Sequence, residues 1–589
     1  MLPIVVLYDA VDARRFGNES PAVRAVCPLT PLAAANVSCA KVPVLDVRER
    51  YGDGAQADTI RLREHLRERW HEVIDAKGAL DPSVRYVLDL ALSTLLNGYD
   101  RLRHVIGNEG PWLVPMGEVW TAYTRRDEAC RAISHHILAR YPNFIGNIIC
   151  HPAPFPVFFR AVRRVLVAFA KRAKPNWVTS RSDHPLGLER ALLAAFPAAR
   201  QFHLTTADAG WREYLRLFRE LLRSLGRAPQ IQVRAIPARR REHERQALTA
   251  IENFPDPEIR MLMRELSPHI ANVSGIAGGA SVDFGNILRQ LQPNFMLASE
   301  IADALTVALF NACGESHIPR RVGSHNSFAP ANDDVSLTAL RYQLGGQYGD
   351  GAAEQNLFWN APSLAAGKQV LSCSSNRCVA LAAMAVSPVE KPRATERPFR
   401  ILYATNSLRY FSGTSWMYED VNEFVESVAT LVNTGLSVEN TNYTVRTKVR
   451  RHEMDESTIR AKLKGEGRVE VTFRHSRPFQ DDLARADLLV AFRSTTIMQA
   501  LFSRKPVLFW GVSPRYRELA GRTTPPLPGD RAAIYNVTRA DDLPAMIRAI
   551  KHAHWAKPLT DEELAPYVLP PGTMSVDTWA RECLTSVSA

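Results

Sequence analysis

The chain has 589 residues, enough for two or more domains with large cores, and its 46% hydrophobic and 23% charged content suits a globular protein. No apolar run approaches the roughly 20 residues needed to span a bilayer. The eight cysteines are scattered, only Cys373 and Cys378 lie close together, and nothing suggests a disulfide framework or a zinc ligand set. A net charge of +12 and a pI of about 9.4 favour anionic partners. No RNA-binding aromatic signature or zinc finger accompanies the basic runs Arg160–Lys174, Arg239–Arg241 and Arg446–Arg451, so nucleic acid is not expected. An inner-membrane surface or an anionic glycan suits these runs, as does a plain solvated face for any one of them.

The start, MLPIVVLYDAVDARR, lacks a basic segment before its apolar run. It reads as a strand, Ile4–Tyr8, rather than an export signal, and a cytoplasmic location is the expectation. Helices are predicted over Thr59–Ile74, Ser83–Leu96 and Trp211–Leu225, and strands over Trp112–Pro115, Trp177–Ser180, Gln201–Thr205 and Ile231–Ile236. Either helical insertions enlarge an amino-terminal lobe, or two modules are split near Pro237–Glu244. Gly275–Gly279 (G-I-A-G-G) lacks the spacing and the preceding strand of a dinucleotide fingerprint. Further on come a strand with an acidic end, Pro293–Glu300, a helix, Ile301–Cys313, and strands Arg320–Ser324 and Asn356–Asn360.

Val386–Phe399, with three prolines and alternating charges, reads as a polar linker. A second α/β unit follows. Its strands are Arg400–Thr405, Tyr443–Val449, Val469–Phe473, Leu488–Phe492, Val507–Trp510 and Ile534–Val537, with helices between them. The expected organisation is an amino-terminal α/β region (1–240), the remainder of the first Rossmann-like lobe (241–385), a linker (386–399), a second Rossmann-like lobe (400–560) and a tail (561–589) whose helix crosses back to the first lobe. Alternating strands and helices imply parallel, doubly wound sheets.

The most informative stretch is Ala486–Gly511, A-D-L-L-V-A-F-R-S-T-T-I-M-Q-A-L-F-S-R-K-P-V-L-F-W-G. A buried-type strand ends in Arg493, Ser494, Thr495 and Thr496, and a short helix follows. Backbone N–H groups, hydroxyls and a guanidinium converge there, which suits an anion such as a nucleotide phosphate. The simpler alternative is a βαβ turn whose Ser or Thr only caps the helix.

Asp487–Gly511 and Gln292–Ser327 (which includes P-N-F-M-L-A-S-E and G-S-H-N-S) resemble elements of the GT-B glycosyltransferase superfamily. The nearest similarity is to bacterial capsule and lipopolysaccharide transferases that use CMP-Kdo or CMP-sialic acid. The resemblance implies an α/β fold of two Rossmann-like lobes, the first enlarged by helical insertions, and covers the second half of the chain. Those enzymes pair a basic or His-Pro element with a later Ser/Thr turn. Here His452 is followed by Glu453, and Lys448 or Arg450 takes the basic role. No Glu lies between Glu470 and Glu518, which disfavours the subclass that holds its donor with a Glu-x7-Glu element.

Leaving-phosphate charge would be stabilised by Lys448, Arg450, Arg493, Ser494, Thr495 and Thr496, with Asn406 also at the donor cleft, and no metal or other cofactor is expected. A base for the acceptor hydroxyl, or a carboxylate nucleophile, belongs on the first lobe. The catalytic candidates are Asp183 and His325, each after a predicted strand, and Glu300, which ends one. The expected partners are a nucleotide-sugar donor and a glycan or lipid-linked acceptor, with inner-membrane contact through the basic runs. A CDP-alditol phosphotransferase of the teichoic-acid type and a non-catalytic two-lobed binding protein are the rival readings. His135 and His136 read as structural, and Trp112, Trp120 and Trp177 as core.

Overall fold

The computed structural model describes residues 2–29, 53–76, 80–140, 176–179, 188–195, 201–206, 230–233, 237–301, 303–324, 326–371, 377–383, 397–405, 421–447, 459–473, 477–492, 494–511, 519–527 and 530–585, with short stretches between 33 and 50 and residue 78. The strands among them form three sheets. The first joins β1 (Ile4–Leu7), β2 (Ala25–Pro28), β3 (Trp112–Met116) and β4 (Val119–Tyr123) in the order β2-β1-β3-β4, with β3 and β4 an antiparallel hairpin. The second joins β5 (Trp177–Thr179), β6 (Gln201–Thr206), β7 (Gln230–Val233), β8 (Phe295–Ala298), β9 (Arg320–Val322), β10 (Gln355–Phe358) and β11 (Cys378–Ala380) in the order β11-β10-β9-β8-β5-β6-β7. The third joins β12 (Phe399–Ala404), β13 (Thr441–Thr447), β14 (Val469–Phe473), β15 (Leu488–Ala491), β16 (Val507–Trp510) and β17 (Ile534–Val537) in the order β14-β13-β12-β15-β16-β17.

The second and third sheets are parallel throughout. Numbered from its own first strand, each follows the doubly wound order 3-2-1-4-5-6, and the second carries one more strand at its edge. The winding reverses between β5 and β8 in one lobe and between β12 and β15 in the other. The chain is thus an α/β protein with two Rossmann-like lobes. Its sequence accounts for the parallel form: Leu488–Ala491 and Val507–Trp510 are apolar at every position and buried on both faces.

The enlargement of the amino-terminal lobe contains a sheet as well as helices. The helix Ser267–Leu291 links this added region to the second sheet. Its 25 residues span about 37 Å at the usual rise of an α-helix. Its first half packs in one core with Trp70, Leu92 and Trp112, its second half in another with Met296, Val322 and Phe358. The G-I-A-G-G segment lies inside this helix, against the helix Pro237–Glu252. A Cβ on Gly278 would fall 2.3 Å from Cγ of His243, and one on Gly275 2.9 Å from the Arg240 carbonyl oxygen, so the glycines permit a close helix contact. His243 there donates Nδ1–H to the Arg239 carbonyl (2.6 Å), while Nε2 faces Asp81 (3.4 Å).

The segment 384–396, most of the predicted linker, lies outside the described residues, as does the predicted helix Trp211–Leu225. Directly after the linker Arg397 forks onto Asp487 (2.6 and 2.7 Å), which also accepts from the Arg400 N–H (2.9 Å). The pair ties the entry of β12 to the entry of β15. The tail helix Val576–Thr585 packs on the helix Leu188–Ala195 of the middle lobe, and Trp579 Nε1 donates to Gln355 (3.2 Å). Trp359, just after β10, meets Phe502 of the C-terminal lobe at 5.9 Å between ring centroids, so the lobes share a core.

Candidate functional site

Ligands of doubly wound sheets sit beyond the carboxyl ends of the strands, where the winding reverses. In the C-terminal lobe that place lies after β12 and β15. Beyond β12 comes Thr405, buried, its N–H donating to the Arg446 carbonyl (3.0 Å). Beyond β15 come Ser494, Thr495 and Thr496, the last opening the helix Thr496–Phe502. Ser494 accepts locally: its Oγ from the Thr496 N–H (3.3 Å), its carbonyl from the Ile497 N–H (3.0 Å). This part of the simple capping alternative holds, since Ser494 does bridge the turn. Thr495 sits at the helix entry without a side-chain capping bond among the described residues, and Thr496 Oγ1 is buried with no hydrogen-bond partner among them. A hydroxyl left unpaired in that position costs about 1–3 kcal/mol.

In the middle lobe the reversal lies after β5 and β8, and Glu300 follows β8 by two residues. Its carboxylate Oε2 accepts from Asn326 Nδ2 (3.3 Å), which also donates to Gln347 Oε1 (3.1 Å). Ser324, after β9, donates Oγ–H to the same Gln347 oxygen (2.8 Å) and accepts from the Asn326 N–H (3.1 Å). The neighbouring Tyr348 is buried against Phe358; its hydroxyl donates to the Leu357 carbonyl (3.0 Å) and accepts from the Ser324 N–H (3.2 Å). Burial, reinforced by the negative charge of Glu300, pushes the Tyr348 hydroxyl far above its ordinary pKa, so it stays a neutral donor. Asn326, Gln347 and Tyr348 escaped the sequence reading. Asn326 lay inside the G-S-H-N-S stretch, whereas Gln347 carried no signal beyond its glycine-rich surroundings.

Asp183, His325, Asn406, Lys448, Arg450 and Arg493 lie outside the described residues, as does His452. Of the residues expected at the site, the structure therefore places Glu300 at one reversal and Ser494, Thr495 and Thr496 at the other. Among the described residues no group of three or more His, Cys, Asp or Glu is arranged to hold a metal ion.

The basic run Arg160–Lys174 lies outside the described residues; the described arginines of the other runs are less free than composition implies. Arg446 is buried and pairs with Asp482, its Nη2 donating also to the Arg477 carbonyl (2.8 Å). Arg477 shares Asp482 and reaches Glu470 (3.0 Å). This network braces the carboxyl end of β13 from below. Arg239 and Arg240 are paired along their own helix with Glu242 (2.7 Å) and Glu244 (2.8 Å). No helix among the described residues is long and apolar enough to cross a membrane. His136 is structural: its Nε2 meets the buried Asp12 (3.2 Å). Trp112 and Trp177 are core residues, while Trp120 is partly exposed.

No protein-family profile and no curated protein matches this sequence. Solved structures give distant likenesses. The Staphylococcus aureus protein MnaA in complex with UDP is 11% identical, with a TM-score of 0.38 over 69% of this chain and 94% of its own. The lipopolysaccharide outer core galactosyltransferase WaaB is 12% identical, with a TM-score of 0.38 over 70% of this chain and 99% of its own. The wall teichoic acid polymerase TagF is 8% identical, with a TM-score of 0.33 over 73% of this chain and 95% of its own. All these scores are low, and the site stands on the strand orders and the residues at the strand ends.

Proposed function

We propose that this chain is a glycosyltransferase that binds a nucleotide-sugar donor in the C-terminal lobe and the acceptor against the middle lobe. The observation that carries this reading is the pair of doubly wound sheets with different chemistry at their reversals: hydroxyls and a helix start after β15, a carboxylate after β8. The leaving nucleotide phosphate would meet Ser494, Thr495, Thr496 and the helix N–H groups, with Arg493, Lys448, Arg450 and Asn406 as further donors and no metal needed. Glu300 would take the proton of the acceptor hydroxyl as its oxygen bonds to the anomeric carbon and the bond from that carbon to the phosphate oxygen breaks. Asp183 and His325 are the alternatives for that proton. In a retaining reaction a carboxylate would instead attack the anomeric carbon.

The donor favoured by the sequence is CMP-Kdo or CMP-sialic acid, and the product a bacterial surface polysaccharide. The enzyme would work in the cytoplasm, held at the inner membrane or on its anionic glycan by basic side chains such as Arg241 and Arg245, which are exposed on their helix. The rival reading, transfer of a phospho-alditol from a CDP donor, uses the same phosphate site.

Thermal unfolding with CMP, CDP, UDP and GDP tests this. A cytidine nucleotide should raise the midpoint, and Ser494→Ala with Thr495→Ala should erase the rise. A preference for UDP removes the acidic-sugar donor, and no stabilisation by any of the four leaves a non-catalytic binding protein.

A further inference from the structure

Glu300 does not hold its place alone. The chain 341–351 is unusual: a single π turn, Arg341–Gly345, gives way to a short tight turn, Gly349–Gly351, in which Asp350 takes a left-handed conformation (φ 51°). Such turns recur at functional sites. Between them project Gln347 and Tyr348, and these two residues carry the carboxyl ends of both β8 and β9. The Gln347 carbonyl accepts from the Ile301 N–H (2.8 Å), directly after Glu300. Its side-chain oxygen receives two donors, Ser324 Oγ (2.8 Å) and Asn326 Nδ2 (3.1 Å), and Asn326 passes the restraint to Glu300 Oε2 (3.3 Å).

We propose that Gln347 is a positioning residue for Glu300, acting through Asn326 and Ser324. The inference rests on the reading of Glu300 as the proton acceptor, but the contact it describes is independent of that chemistry. Asn326 has one amide nitrogen and shares it between two oxygens. With Gln347 Oε1 in place, that nitrogen is held on the line between Gln347 and the carboxylate. Remove the oxygen and Asn326 keeps only Glu300, while the Ser324 hydroxyl must find another acceptor. The Asn326 contact to the carboxylate is then no longer fixed, and for a group that receives a proton misplacement by 1 Å costs on the order of a hundredfold in rate. Because both groups at Gln347 Oε1 are donors, a carboxylate can replace the amide oxygen. Gln347→Glu keeps the two hydrogen bonds and adds a negative charge; Gln347→Leu removes both bonds at similar volume.

The test follows the Glu300 carboxyl directly, by 13C NMR of protein carrying carboxyl-13C glutamate, with the signal assigned by its loss in Glu300→Gln. In Gln347→Leu the Glu300 signal should shift and broaden. In Gln347→Glu, which keeps both hydrogen bonds, it should stay sharp. Both variants should keep the thermal midpoint of the unaltered protein. A Glu300 signal in Gln347→Leu that superimposes on that of the unaltered protein overturns the proposal, whatever nucleotides do. If the unaltered protein turns over CMP-sialic acid or CDP-glycerol, Gln347→Leu should lower kcat about tenfold or more with KM little changed, and Gln347→Glu should restore part of it. A Glu300 response without stabilisation by any nucleotide leaves the positioning contact standing and removes the transferase reading.

Discussion

The two parallel sheets share one strand order yet differ in what they place where the winding reverses. Just past its fourth strand the middle sheet carries Glu300, which accepts from Asn326, itself bonded to Gln347. Just past its fourth strand the C-terminal sheet carries Ser494–Thr496, where Ser494 accepts from the Thr496 and Ile497 N–H groups of its own turn. A group that receives a proton needs a fixed direction. The proposed phosphate site would need several donors that a ligand can complete, and the Thr496 hydroxyl, with no partner among the described residues, suits that proposal. The lobes also store charge differently. Beneath the C-terminal turn lies the Arg446–Asp482–Arg477 network, whereas contacts of the amino-terminal region with the chain beyond 237 include the His243–Asp81 pair (3.4 Å) beside a glycine contact, the Tyr99–Glu258 hydrogen bond (2.9 Å) and Arg63 over the Tyr342 ring (4.1 Å).

The largest expected effect breaks the C-terminal side alone. Asp482→Ala removes the carboxylate shared by Arg446 and Arg477 and should cost about 3–5 kcal/mol. Hydrogen exchange should accelerate across β12–β15 while β8–β10 stay protected; uniform acceleration would show that the lobes unfold as one unit.

Acid should act on the same lobe. His554 is buried and accepts from the Tyr535 hydroxyl at Nε2 (2.8 Å); that hydroxyl in turn accepts from the Ala532 N–H. Burial pulls the imidazole pKa down from 6.5 to about 3. The unfolded chain therefore takes up this proton first. The stability contributed by neutral His554 is complete above pH 6.5 and falls as pH drops from 6.5 toward 3. His243 has the opposite sign: its hydrogen bond to Asp81 raises its pKa, so its contribution is complete below 6.5 and lost as pH rises through the raised value. Denaturation between pH 4 and 8, the range about these two groups, should lose much of its acid sensitivity in the C-terminal lobe when His554 is replaced by Gln. An unchanged profile would sink the assignment.

Gly278→Ala sharpens the other side. The added methyl would meet the His243 ring and should cost about 1–3 kcal/mol, read as a fall in the unfolding midpoint of the amino-terminal and middle regions. The smallest effect separates structure from site. Thr496→Val removes an unpaired buried hydroxyl and should leave stability unchanged or raise it by up to about 1 kcal/mol, yet reduce stabilisation by nucleotide. A clear loss of stability would show that the hydroxyl has a partner within the fold.

Much of the fold was legible because parallel strands are marked twice, by short apolar runs and by the polar turns that end them. Leu488–Ala491, Val507–Trp510 and Val469–Phe473 appear where their β-branched and aromatic residues predict. β2 and β4 were not read: β2 is only A-V-C-P, and β4 is a partly exposed hairpin arm whose pairing depends on β3. The helix Ser267–Leu291 was also hidden, because its glycines weaken helix propensity and tertiary packing against Pro237–Glu252 overrides that cost. The site divides in the same way. Glu300 and Ser494–Thr496 announce themselves by following strands. Arg446, which composition counted as surface charge, is a buried brace, because Asp482 and the Arg477 carbonyl meet it only once β13 and the helix Phe479–Arg485 are assembled.

The sequence by itself determined the alternation of strands and helices, the parallel sheets and the polar strand ends, since each depends on residues within about twenty positions of one another. Tertiary structure alone decided the strand orders, and with them which ends lie at a winding reversal, because strand neighbours are chosen by packing between segments far apart in the chain. It also decided that Gln347, with no signal of its own, reaches Glu300 through Asn326.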